Sequence, residues 1–255
     1  MVLLHIDILF ARMKTLVIIP AAGLGTRMGS APAKDRKPVA SKQFVALQGT
    51  PVLVHTLRKF ARNSEVAEIF VALRKSEIDP FRARLEREAP EILKNKTVLL
   101  EGGENRQQSV ANALAAISAD VNDIVLVHDA VRPFVTAEII QDVIAAAAKY
   151  GAAITGVPAV DTVKQVERTA EGAIIKATIP REKIVLAQTP QGFRYGILKK
   201  AFDEATADGF LGTDEASLVE RSGQEVAVVM GSPRNIKITT PADLELAEFY
   251  LKWEN

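Results

Sequence analysis

At 255 residues the chain is long enough for one domain with a substantial core, or one domain with an appendage. Hydrophobic content of 48% and charged content of 25% are ordinary for a soluble globular protein, and a formal net charge of +1 gives no bulk attraction to nucleic acid. The lack of cysteine excludes disulfides, thiol nucleophiles and cysteine-ligated metal centres, and it fits a reducing, cytoplasmic compartment.

The first ten residues, Met1-Val-Leu-Leu-His-Ile-Asp-Ile-Leu-Phe10, are apolar but interrupted by His5 and Asp7. They lack a basic n-region and a cleavage site and are too short to span a bilayer. Residues 1–12 are therefore expected to be an extension outside the fold, with one domain over 13–255 and no membrane partner. Thr15-Leu-Val-Ile-Ile19 reads as a buried strand, and Pro20-Ala-Ala-Gly-Leu-Gly-Thr-Arg-Met28 follows it. Gly23 and Gly25 let the backbone turn sharply and approach a ligand, free N–H groups in such a loop can surround phosphate, and Arg27 adds a fixed positive charge. The loop reads as a nucleotide phosphate site or, more plainly, as a tight turn. It is not a P-loop, and the third glycine of the dinucleotide fingerprint is displaced to Gly29, with no acid about 20 positions on.

Further along, residues 51–60 have apolar positions at Val54, Leu57 and Phe60, near helical spacing. Strand-like runs follow at 67–73 and 97–100, the second leading into Gly102-Gly103-Glu-Asn-Arg106, whose glycines could admit a flat base against the backbone. Residues 105–117 read as a helix and 123–128 as a strand. His128-Asp129-Ala-Val-Arg132-Pro133 then stands at that strand's exit. An aspartate there can hold a divalent cation, orient a substrate or simply form the turn. His128 and Asp129 would point to opposite faces, so no dyad is expected and His128 is read as structural. Residues 136–149 form a helix with Thr136 as N-cap and Gly151 past its end, followed by a strand at 152–158.

Residues 161–179 break the rhythm. Two polar–apolar runs around Thr169-Ala-Glu-Gly172 suggest a hairpin arm at 161–181, either a surface feature or a dimerisation element. Strands at 225–230 and 236–238 complete the set, and Thr240-Pro241-Ala-Asp243 is a helix start with cap, Pro at N1 and a capping-box acid. Lys237, inside the 236–238 run, either points inward to meet an anion or outward to water. Alternating β and α units with near-continuous apolar strands predict a doubly wound, mainly parallel α/β sheet, with ligands beyond the strands' carboxyl ends. The G-x-S-x-G elbow of a serine hydrolase is missing.

The loop motif, Lys42-Gln-Phe44, Gly102–Arg106 with Ser109, Val127–Pro133, Asp161-Thr162, Gln188-Thr-Pro-Gln191, Thr213-Asp-Glu-Ala-Ser217 and Asn235-Ile-Lys-Ile-Thr239 occur in order. Together they closely resemble the 2-C-methyl-D-erythritol 4-phosphate cytidylyltransferase family of the non-mevalonate isoprenoid pathway, from about residue 15 to the C-terminus. The resemblance implies a Rossmann-like nucleotidyltransferase core, a dimerising β-arm, and use of CTP with Mg²⁺. It assigns Arg27 and Lys42 to the triphosphate and Lys237 to the reacting phosphates. Ala21, Ala22, Gly23, Gly25, Gly103 and Ser109 would hold the nucleotide. Asp129 would serve the metal and substrate end, with Arg132, Thr162 and Arg181 on methylerythritol phosphate and arm residues donated by a second subunit. The stretch between Met28 and Lys42 is longer than is usual in the family, and Ser41 stands where a proline often precedes the lysine. The assignment of Lys42 rests on the following Gln43-Phe44. The nearest rival, ribitol-5-phosphate cytidylyltransferase, more often resembles Ala-Gly-Gly in the first loop and lacks the Thr-Asp-Glu-Ala-Ser run. A non-catalytic nucleotide-binding module is the alternative from another class.

Overall fold

The computed structural model describes residues 13–23, 41–94 and 97–253. The expected extension 1–12, and Gly25 and Arg27 of the first loop, lie outside the described residues. The core is a seven-stranded sheet in the order β11-β7-β10-β6-β1-β4-β5. Its strands are β1 (Thr15–Pro20), β4 (Val66–Leu73), β5 (Thr97–Glu101), β6 (Ile124–Val127), β7 (Ala152–Pro158), β10 (Val185–Arg194) and β11 (Ala227–Met230). Short strands β2 (Ala46–Leu47) and β3 (Thr50–Pro51) pair with each other, as do β8 (Val163–Thr169) and β9 (Gly172–Ile179). Every ladder of the main sheet is parallel except the two made by β10.

The helices are α1 (Val52–Ala61), α2 (Lys75–Glu88), α3 (Pro90–Lys94), α4 (Arg106–Ala116), α5 (Ala137–Tyr150), α6 (Tyr195–Ala207), α7 (Glu215–Arg221) and α8 (Pro241–Leu251). They cover both faces of the sheet because successive strand side chains point to opposite sides. Val17 and Ile19 of β1 join α1, α2, α3 and α5 in one cluster, while Leu16 and Ile18 join α4, α6 and α7 in another. Burying a side chain such as Ile18, fully inaccessible here, stabilises the fold by about 1.5–3 kcal/mol. The doubly wound, mainly parallel architecture is therefore as expected, and a third small cluster seats α8 against Leu47, Val131 and Phe134.

Local signals act where they were read. Thr136 accepts a hydrogen bond from Ile139 N at the start of α5, and Gly151 ends it at φ 90°, a conformation that disfavours a side chain. Thr240 and Asp243 form the capping box of α8. The hairpin at 163–179 projects as its own two-stranded sheet. Two details differ from expectation. Residues 236–238 make no strand. They run past the carboxyl ends of the sheet, with a backbone bond from Ile238 N to Val131 O (2.9 Å). And β10, not foreseen, enters antiparallel between β6 and β7, with a register shift between Gln188 and Gln191 that absorbs Pro190.

Candidate active site

Beyond the carboxyl ends of β1, β5 and β6 lies a cavity of about 140 Å³. Residues 20–23, 103–106 and 129–131 line it, with Lys42, Gln43, Ser109 and Lys237. Its floor is made by two strand exits in close contact. Ala21 N donates to Ala72 O and Gly102 N to Leu73 O, both at 2.7 Å. A Cβ at Gly102 would stand 2.6 Å from Ala22 Cβ, so only glycine allows this approach. Ser109, at the buried face of α4, accepts from Gly103 N (3.0 Å) and donates to Asn105 O (2.9 Å), which fixes the Gly102–Gly103 backbone as one wall. Gln43, almost wholly buried, donates to Ala21 O at 2.5 Å and so pins the Lys42 turn to the end of β1.

Asp129 is the electrostatic centre. Lys237 Nζ lies 2.9 Å from Oδ2, Arg132 Nε 3.2 Å from Oδ2, and Arg106 Nε 3.5 Å from Oδ1. Burial penalises the charged carboxylate, but Arg106, Lys237 and Arg132 together outweigh that penalty and hold Asp129 well below the usual carboxylate range. Arg132 is itself 9% exposed and gives Nη1 to Asn235 O (2.7 Å). That bond fixes the 235–238 segment and aims Lys237 at the aspartate. Lys237 thus points inward and meets an anion.

The structure accordingly gathers Ala21, Ala22, Gly23, Lys42, Gly103, Ser109, Asp129 and Lys237 around one cavity. Arg132 stands one layer behind Asp129. Thr162 and Arg181 are exposed at the base of the arm, away from the cavity wall, and Arg181 Nη1 binds Val160 O (2.9 Å).

His128 has a scaffolding position. It is fully buried against Phe60, and the carbonyl of Arg132 can only accept, so Nε2 carries the proton at 3.0 Å from it. Thr189 Oγ1 accepts from Asp129 N (3.0 Å) and donates to His128 Nδ1 (3.2 Å). Burial pushes the imidazole down to about 4, with the Arg132 carbonyl opposing. An unfolded histidine titrates near ~6.5, so between that pH and about 4 the unfolded chain binds the extra proton. The His128 contribution to stability is therefore fully present above pH ~6.5 and falls by about 3 kcal/mol as the pH drops through this window. In urea unfolding at pH 7 and 4.5, His128→Gln should lose most of this dependence; an unchanged pH slope would contradict the buried neutral state.

Three further residues complete the site without having been singled out from the sequence. Arg106 lines the cavity, and its Nη1 meets both carboxylate oxygens of Glu215, at 2.5 and 2.6 Å. Burial alone would lower the pKa of Arg106, but Glu215 and Asp129 outweigh it and raise it. Asn235, fully buried, donates to Thr189 O (2.9 Å). The available signal was that Arg106, Glu215 and Asn235 all lie inside motif runs.

The family profile for 2-C-methyl-D-erythritol 4-phosphate cytidylyltransferase matches residues 15–253. The chain belongs to that family. A relative from Acidobacterium capsulatum bearing the family's name is 58% identical over 240 residues, 94% of this chain and 98% of its own. The solved 2-C-methyl-D-erythritol 4-phosphate cytidylyltransferase of Francisella tularensis superposes with a TM-score of 0.75 at 38% identity, over 95% of this chain and 100% of that one. The enzyme of the same name from Thermus thermophilus gives 0.72 at 35% identity, over 94% and 100%. The 2-C-methyl-D-erythritol 4-phosphate cytidylyltransferase profile thus spans the sheet, the arm and every residue of the described cavity.

Proposed function

We propose that the chain transfers a cytidylyl group from CTP to 2-C-methyl-D-erythritol 4-phosphate, releasing pyrophosphate and forming the CDP-alcohol of isoprenoid precursor synthesis. The observation that carries this reading is the set of fixed cations around Asp129, beside a glycine-bared backbone wall, in a chain of this family. A substrate phosphate, with a second pKa of about 6, is already a nucleophile at neutral pH. It can attack the α-phosphorus of CTP without a general base, which suits a cavity whose neighbouring histidine is locked neutral. What remains is in-line positioning and cancellation of charge. Lys42 and Arg27 are assigned to the triphosphate and Lys237 to the reacting phosphates. The Ala21–Gly23 backbone with Gly25, Gly103 and Ser109 holds the nucleotide.

The donor set fits a cation carried by phosphates rather than caged by protein. Among the described residues no group of three or more histidine or acidic side chains could hold a metal. Mg²⁺ is commonly bound by one or two carboxylates plus substrate phosphates, and Asp129 supplies one carboxylate. When bound, the ion would cancel phosphate charge.

The arm supports a homodimer. Val160, Val166, Ile174, Ile175, Val185 and Leu186 are exposed on it or at its base. A lone two-stranded hairpin with an apolar surface needs a covering partner. A second copy would cover these residues and bring Thr162 and Arg181 to methylerythritol phosphate, while Arg132, buried behind Asp129, would act on that end through the aspartate. No described helix is long and apolar enough to cross a membrane. A CTP-consuming reaction and a chain that needs no disulfides are consistent with a cytoplasmic setting.

Mg²⁺, CTP and methylerythritol phosphate together should yield pyrophosphate, read with a coupled assay. Equal or faster turnover of ribitol 5-phosphate would move the assignment to that substrate. Pyrophosphate from no polyol phosphate would leave a nucleotide-binding module.

A further inference from the structure

We propose that Glu215 is a positioning residue for nucleotidyl transfer, holding the Arg106 guanidinium so that Asp129 stays shared with Arg132 and Lys237. The inference rests on the cytidylyltransferase reading of the same site. Glu215 opens α7 and touches no part of the cavity, yet it is 1% exposed and fully ionically matched by Arg106. Burial pushes its carboxyl up, and the Arg106 contacts oppose that push. A buried ion pair is weak support for stability, because apolar residues of similar volume often do as well. Its value lies in the orientation it imposes.

That orientation has a direct consequence. With Nη1 engaged by Glu215, Arg106 meets Asp129 through Nε, at the long distance of 3.5 Å. Lys237 and Arg132 hold the closer contacts. Released from Glu215, the guanidinium would close on Asp129 as a two-pronged pair, the favoured geometry of arginine with carboxylate. It would then compete with Lys237 for the aspartate and leave the cavity wall. Glu215 is held in turn from β10: Gln191 donates to Asp214 Oδ2 (2.7 Å) and accepts from Ala216 N (3.1 Å), on either side of it. The Thr213–Ser217 run thus serves as a bracket for Arg106.

The test is a double-mutant cycle on the full-length enzyme with Glu215→Gln, Arg106→Met and the double variant. Pyrophosphate release, CTP affinity by calorimetry and thermal melting are measured for each. Glu215→Gln keeps shape but removes charge, and kcat should fall by about ten- to a hundredfold, the scale of a small misplacement at a reacting centre. In the Arg106→Met background the same change should cost almost nothing, because the group it positions is gone. A purely structural Glu215 would lower the melting temperature without this non-additivity. Near-wild-type kcat in Glu215→Gln, or losses that multiply in the double variant, overturns the proposal. If Glu215→Gln does not fold, Glu215→Asp takes its place, and failure of both makes Glu215 structural and overturns the proposal. A wild type that binds CTP but turns over no polyol phosphate would refute the reaction reading instead, while the cycle could still be read in CTP affinity.

Discussion

Lys237→Ala should lower kcat by roughly 10²–10³, the cost of one preorganised electrostatic donor, while leaving the melting temperature nearly unchanged. The two effects separate because of the charge balance around Asp129. Removing Lys237 leaves the aspartate matched by Arg106 and Arg132, so no buried charge is orphaned. Asp129→Asn behaves differently. It strips the shared counter-charge from three cations, one of them the buried Arg132, and should lower both kcat and stability. Single-turnover kinetics beside melting curves distinguish the two variants. Near-normal turnover by Lys237→Ala would take Lys237 out of the phosphate site.

Mixing two inactive variants should restore about a quarter of wild-type activity if the pocket is shared between subunits. Lys42→Ala damages the cavity of its own chain, and Arg181→Ala damages the arm offered to the other. Random reassortment makes about half the dimers mixed, each with one pocket carrying both lesions and one carrying neither. If Arg181 served its own subunit, every pocket would retain a lesion and mixing would restore nothing. Co-refolding followed by a pyrophosphate assay reads the difference, and a monomer on a sizing column would end the idea sooner.

Much of the scaffold was legible because it uses strong local signals. β1, β6 and β7 are near-continuous apolar runs, and α5 and α8 carry side-chain caps at positions that could be read off directly. β10 was illegible for a physical reason. Gln188, Thr189 and Gln191 face a polar network rather than a core, and Pro190 sits in mid-strand. α2 was hidden similarly, since only Phe81 and Leu85 of its 14 residues are buried. At the site the individual motifs were visible, but their wiring was not. Arg106 and Glu215 are 109 positions apart, and Arg132 and Asn235 are 103 apart. Nothing local to either partner names the other, and the apparent strand at 236–238 proved to be a segment tied to the 129–133 turn.

The strand order also divides the sheet by time of synthesis. β5, β4, β1 and β6 all come from residues 15–127, and β10, β7 and β11 all come from 152–230. A single ladder joins the halves, from Val127 opposite Gln191 to Ile124 opposite Arg194. A chain emerging from the ribosome can pair its first four strands early, but β6 keeps an open edge until residue 194 is out. That edge is Ile-Val-Leu-Val, a ready template for pairing with a neighbouring chain. The bond from Asp129 N to Thr189 crosses the same joint, so the anionic centre of the cavity is locked only when the joint closes. A chain cut short before Gln191 should therefore leave the β6 edge unpaired, and one cut short before Thr189 should also lack the bond that holds Asp129.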